Sequence, residues 1–412
     1  LQHTRIVMHE KYEAEVNKIL KKFHISKTCG FALPDPLTSL PEYYAPWMEL
    51  AANLTELIET HTLRERVMQM PELSIGLLQS HRQLRLAHLV LSFITSGVVW
   101  QEGDKAPTKV LPRSVAVPFC AVSKCLGLPP IIVHADGVLA NWRRRDADGY
   151  LSEMYINLDT LVRLPGGANS RYFFLCTVMV EFAAVPGIIG LVKCVEAVRA
   201  ADEATLKESL LEVAEAIHGM IKALSTMHDH VDPAVFFGVI RIFLSGWMDN
   251  PVLDGLHYEG VGDTPYMYSG GSAAQSSLLH CFDAALGIEH DPKHVNTGSF
   301  LARMREYMLP RHSEFICWLA DGPSIRSHFV SRSTPPESSA RAAYNACVSA
   351  LTRLRSDHIA VVTRYITVQS ARARREATSP AGFALAEKGT GGTAILPFLK
   401  GVRDATAAAL IE

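Results

Sequence analysis

Between Thr205 and Met227 the apolar side chains fall at Leu206, Leu210, Val213, Ile217, Met220 or Ile221, and Leu224. These steps of three and four place them on one face of a helix. The same rhythm runs from Ser339 to Ile366 through Cys347, Leu351, Leu354, His358, Val361 and Tyr365, and predicts a second long amphipathic helix. A third stretch, Phe173 to Val192, is apolar almost throughout, interrupted by Glu181 and Pro186. As a membrane span it would carry a carboxylate near mid-bilayer. It reads instead as a buried core helix, bent or ended near Pro186. Long alternating strand patterns are absent, and "PIIVHA" (Pro130–Ala135) is the one candidate for a short strand. These patterns predict an all-α, mainly helical chain.

Proline and glycine divide the pattern. The first 160 residues are rich in prolines and short segments, as in "ALPDPLTSLPEYYAP" (Ala32–Pro46). "RLPGGANS" (Arg163–Ser170) then reads as a connector, and longer helices follow. The expected organisation is a small N-terminal domain over 1–160 and a larger helical domain over 161–412. Near the end, "QSARARREATSPAG" (Gln369–Gly382) is polar, basic and weakly patterned, and it leads into "EKGTGGT" (Glu387–Thr393). A mobile loop over about 369–393 with a glycine hinge is expected there.

Composition narrows the class of partner. The chain is 48% hydrophobic and 20% charged with a net charge of −2, so no global basic field draws nucleic acid or anionic lipid. The first thirty residues lack the basic–apolar–small order of a secretory signal, and the chain opens at Leu1 without an initiator Met. The eight cysteines are scattered, without CxxC or zinc-finger spacing. They read as free, buried thiols of a reducing compartment, which points to the cytoplasm.

Several side chains stand out against their surroundings. His358 lies on the apolar stripe of a long helix, where a hydrophobe is expected. A buried imidazole needs a partner for each ring nitrogen. A core histidine bonded to backbone or water meets that need, and so does one that ligates a haem iron through one nitrogen. Arg355, three residues earlier, shares the neighbouring face and suits either an anionic ligand or an ion pair. Arg241 is the only charge between Asp232 and Asp249, one turn after Phe236 and Phe237. It calls for a bidentate anion, either a structural carboxylate or a bound one. "YSGGSAAQSS" (Tyr268–Ser277) places Gly and Ser at a helix start, where backbone can approach a flat ligand closely, but it lacks the lysine of a phosphate loop. "MHDHVD" (Met227–Asp232) has its two histidines two residues apart, wrong for one helix face, and reads as a solvated helix end. Tyr258 in "LHYEGV" matches a loose phosphotyrosine docking pattern, a weak pointer to a signalling partner.

Taken in order, "LPEYYAPWMELA", "HRQLRLAHLVLSFITSGVVWQEG", "LGLPPIIVHADGVLANW", "VFFGVIRIFLSGW", "YSGGSAAQSS", "LRSDH" and "EKGTGGTAILPFLK" resemble the indoleamine 2,3-dioxygenase family, and within it the type-2 vertebrate branch. The resemblance implies a small N-terminal domain and a larger all-helical domain holding haem b, active as ferrous iron. It implies that L-tryptophan or a related indoleamine reacts with O2 to give N-formylkynurenine, with a reducing partner for the iron. On this chain it implies His358 as the proximal iron ligand, and Arg355 and Asp283 as the ion pair beside the haem carboxylates. Gly271, Ser272 and Ala273 would border the haem, and Arg241 would clamp the substrate carboxylate. Phe173, Phe236 and Phe237 would enclose the indole, with Thr177 and His134 on the pocket wall and Thr390 closing over the substrate. No protein general base is expected. His134 and Thr177 stand where the better-known paralogue has Tyr and Ser, and Gly137 where it has Cys. Asp357, beside the proximal histidine, stands where Tyr is usual in the family. The competing reading is a haem-binding signalling or sensing protein with little turnover.

Overall fold

The structure is a computed structural model. It describes residues 2–149, 154–290, 297–331, 338–376, 389–390 and 394–412. Helices dominate. The 203–225 helix begins at Asp202, whose side chain accepts the Thr205 N–H at 3.1 Å and caps the first turn. Its apolar stripe packs against the helices Ala168–Ala183, Val185–Ala200 and Ser339–Val362. The first two of these are the long apolar stretch of the sequence. The chain breaks between them at Ala184, and Pro186 sits in the first turn of the second helix, where its missing N–H is no loss.

The Ser339–Val362 helix starts at a Ser338 cap and does not stop at Val362. It passes through a π-helical turn, Thr363–Thr367, into a further helix, Val368–Glu376. The part of the expected loop over 369–376 is therefore helical; residues 377–388 and 391–393 lie outside the described residues. The last helix, Ile395–Ala407, packs along Ser339–Val362.

On the other side of the molecule, His81–Trp100 opens with a Ser80/Gln83 capping box and is buried from Arg85 onward. Among the described residues it is one of two helical stretches long and apolar enough to cross a membrane; 89% of its apolar window, and 61% of that in Ala168–Ala200, is buried inside the protein. One contiguous core runs from Val16 to Ala409. Strand structure among the described residues is limited to two short pairs and two isolated bridges.

Pro130–Ala135 is not a strand. The Asp136 carboxylate, held by His88 at 2.6 Å, takes the Val133 N–H at 3.1 Å. That N–H is therefore spent on starting the helical turn His134–Gly137 instead of a ladder. Tyr258 is fully buried and donates its hydroxyl to the Pro130 carbonyl at 2.6 Å. The folded chain thus does not present it for phosphorylation. All eight cysteines are free, but Cys125 and Cys317 are exposed, not buried as expected.

Candidate active site

A cavity of about 310 Å³ lies among these helices, within the roughly 300–1,000 Å³ of small-molecule sites. One wall is the Ser339–Val362 helix, which contributes Leu354, Arg355, His358, Val361 and Val362. These positions, spaced by three and four around His358, are one helix face. The His358 imidazole has no hydrogen-bond partner among the described residues, and the residue, half-buried, lines the cavity. Burial, and then the Arg355 charge, push its pKa down to about 4. The ring is neutral at pH 7, with a lone pair free for a ligand.

Arg355 is fixed from behind. Its Nη2 donates to both Asp283 oxygens, at 2.9 and 2.7 Å, and its Nη1 to the Thr406 hydroxyl. Asp283 also pairs with His290 Nε2 at 2.7 Å. Burial alone would raise the Asp283 pKa; Arg355 and His290 outweigh it and hold the carboxyl below the usual range. Arg355 Nε remains buried without a partner. Asp357, the neighbour of His358, points elsewhere and is bonded by Arg353 at 2.8 and 2.9 Å.

The facing wall is built from backbone. Ser272 caps a short turn by accepting the Ala274 N–H at 3.2 Å. Gln275 ties this loop together, donating to the Gly270 carbonyl at 2.9 Å and accepting the His134 N–H at 3.1 Å. A Cβ on Gly270 would lie 2.2 Å from Leu244 O and 2.6 Å from Thr390 O, so only glycine permits this approach. Thr390 lies across the same loop; its hydroxyl donates to Gly271 O at 2.5 Å and its carbonyl accepts the Gly270 N–H at 3.1 Å. Gly271, Ser272, Ala273 and Thr390 all line the cavity.

The side walls are aromatic and charged. Phe173 and Phe236 pack at 4.9 Å and 43°, and Tyr365 meets Phe236 edge-on at 5.9 Å. Thr177 lines the cavity with its hydroxyl donated back to Phe173 O at 3.1 Å. Arg241 follows a second π-helical turn, Phe236–Ile240, and is buried at the cavity edge. Burial pushes its pKa down to about 10, so it stays cationic at pH 7. Phe237 is not brought to the cavity; its ring lies beside the Arg241 guanidinium at 5.8 Å. Asp283 likewise stands behind Arg355 and not in the cavity wall.

Three features were missed in the sequence. Glu181 lines the cavity and sits 2.7 Å from His134 Nε2, while accepting the Ser276 hydroxyl at 2.7 Å. Its only signal was a carboxylate within an apolar run. Tyr365 was visible as part of a stripe but not as a wall residue. The two π-helical turns left no sequence signal at all.

These parts suit a flat, anionic, metal-bearing ligand. Among the described residues no group of three or more His, Cys, Asp or Glu converges to hold a bare ion. A metal ligated by His358 must therefore bring most of its own ligands, as a macrocycle does. The partnerless His358 ring, the orphaned Arg355 Nε and the close-approach loop fit haem.

Residues 19–409 match the indoleamine 2,3-dioxygenase family. Indoleamine 2,3-dioxygenase 2 of Mus musculus is 52% identical over 399 residues, 96% of each chain. Indoleamine 2,3-dioxygenase 1 of Rattus norvegicus is 43% identical over 399 residues, again 96% of each. A protein of Haliotis diversicolor named myoglobin is 38% identical over 389 residues, 94% of this chain and 97% of its own. The chain belongs to the indoleamine 2,3-dioxygenase family, and resembles its type-2 member more than its type-1 member.

Proposed function

We propose that the chain is a haem b-dependent dioxygenase that cleaves the indole C2–C3 bond of L-tryptophan to give N-formylkynurenine. The observation that carries this reading is the partnerless His358 imidazole on a cavity that also holds a buried cation, Arg241, and an aromatic wall. His358 would hold the haem, with Arg355, braced by Asp283, beside its carboxylates. Bound there, the haem supplies an iron centre able to bind and activate dioxygen.

The chain's own residues bind and orient. Arg241 pairs with the substrate carboxylate, and its burial strengthens that pairing. Phe173 and Phe236 hold the indole ring flat. Thr390, bonded to Gly271, covers the site and excludes water. Both oxygen atoms enter the product and no net proton leaves the substrate, so the overall reaction requires no protein base. Tryptophan and related indoleamines, O2 and a reductant for the iron are the partners this chemistry needs. We place the protein in the cytoplasm on its eight free thiols.

A second reading rests on the Haliotis relative, whose name is myoglobin and not dioxygenase. Family likeness therefore does not by itself fix turnover, and a haem-binding sensor with little activity is the alternative. One experiment separates the two. Haem-loaded protein is reduced and given L-tryptophan and ¹⁸O₂, and the product is read by mass spectrometry. N-Formylkynurenine carrying both labelled atoms is expected. A fully loaded protein that yields none sinks the enzyme reading and leaves the sensor.

A further inference from the structure

We propose that Glu181 is a positioning residue that turns the Nδ1 lone pair of His134 toward the cavity, where it accepts the ring N–H of a bound indole. The proposal rests on the functional reading above and concerns how that site recognises the ring.

The pair is well defined. Glu181 Oε1 lies 2.7 Å from His134 Nε2 and also accepts the Ser276 hydroxyl at 2.7 Å. Both side chains are almost wholly buried, His134 at 5% and Glu181 at 1% exposure. A carboxylate only accepts hydrogen bonds, so His134 Nε2 carries the proton and donates. In the neutral ring the lone pair is then on Nδ1. That nitrogen has no partner among the described residues, and His134 lines the cavity. The ring is also held from its backbone, because the His134 N–H is bound by Gln275, which is itself anchored to Gly270. Among the described residues Glu181 Oε2 is buried without a partner, so His134 and Ser276 are the side chains there that compensate this carboxylate.

The complementary ligand group follows. Arg241 takes a carboxylate, and the aromatic wall takes the faces of the ring. The remaining polar group of an indole is its N–H, which can only donate. Placed beside a fixed acceptor, it gains a hydrogen bond that a ring lacking the donor cannot make.

The test compares two ligands of nearly the same shape. L-Tryptophan and 3-benzothienyl-L-alanine, in which sulfur replaces the N–H, are titrated calorimetrically into the haem-loaded ferric full chain. Wild type is expected to bind tryptophan about tenfold more tightly, the order of one hydrogen bond in a buried site. In His134→Phe the ratio falls to about one, and in Glu181→Leu, which leaves Nε2 without its carboxylate acceptor, it falls well below the wild-type value, with the haem spectrum retained in both. A merely structural loss would weaken both ligands together and leave the ratio unchanged. A wild-type ratio near one with tryptophan still bound overturns this proposal alone, and needs no variant. So does a wild-type ratio that survives in either variant. Loaded wild type that binds neither ligand overturns the functional reading as well.

Discussion

The cavity has two kinds of wall. The Ser339–Val362 wall is one regular helix face whose charged residue is braced by a buried ion pair, Arg355–Asp283, with His290 and Thr406 behind it. The facing side is made of loop backbone and distorted turns: Gly270–Gln275, Thr390, and the π-helical turn that delivers Arg241. The first kind holds its geometry through packing and intrahelical bonds. The second holds it through a few long-range hydrogen bonds and one glycine contact. A heavy cofactor is best carried by the first, and a wall that must shape itself to a substrate is best made from the second.

Substitutions on the two walls should separate accordingly. The largest effect is expected from His358→Ala, which removes the only candidate iron ligand of the helix wall; stoichiometric haem uptake should disappear from the visible spectrum. Retention of full haem would show that the helix wall is not the carrier. Asp283→Ala strands a buried guanidinium and should destabilise the protein by about 3–5 kcal/mol in denaturant unfolding. Arg241→Leu, on the second kind of wall, should leave the haem spectrum intact while kcat/KM for tryptophan drops about a hundredfold, the order of one lost charge-assisted contact. An unchanged kcat/KM would remove the clamp role. Gly270→Ala forces a methyl group against Leu244 O and Thr390 O. It should cost about 1–3 kcal/mol and raise protease sensitivity around Thr390 more than elsewhere.

Acid should reach the His280 loop contact and the Arg355–Asp283 ion pair at different pH. His280 pins the loop by bonding the Ala274 carbonyl through Nε2 at 2.8 Å, and burial pushes its pKa down to about 4. Its unfolded value is about 6.5. The unfolded chain therefore takes up the extra proton, and the contribution is complete above pH 6.5 and lost as pH falls toward 4. Asp283 is held below its unfolded value of about 3.9, so the ion-pair contribution persists to lower pH and fades only below that value. Unfolding of the apoprotein between pH 7 and 3 should show a shallower upper limb in His280→Gln and a shallower lower limb in Asp283→Asn. In the apoprotein His312, pushed to about 3, and His358, at about 4, add to the upper limb.

Much of the helix wall was legible in the sequence because one period encodes it. The 4-3-4-3 stripe fixed the helix, its face and the anomaly of His358 together, and Arg355 followed from its spacing. The other side was legible only in pieces. Arg241 announced itself as a lone charge, but the partnership of His134 with Glu181 spans 47 residues, and no local pattern reports such a pairing. The strand expected at Pro130–Ala135 failed because a side chain, Asp136, took a backbone donor. Phe237 was expected beside Phe236 on the ring, yet it flanks Arg241 outside the cavity wall. Tyr258 matched a docking pattern that carries no information about burial.

The π-helical turns at Phe236–Ile240 and Thr363–Thr367 touch one another through Phe236 and Tyr365. Each accommodates one residue more than an α turn would. The number of codons in these turns is therefore part of the pocket's design. Removing one residue would let the turn return to α spacing, so the loss is absorbed within the turn and the helix beyond it keeps its phase. The contact between Phe236 and Tyr365, which both belong to these turns, would be reset while the neighbouring helices stay in register. In heredity, a three-nucleotide deletion in either turn is thus a local edit of the aromatic wall and not a disruption of the fold around it.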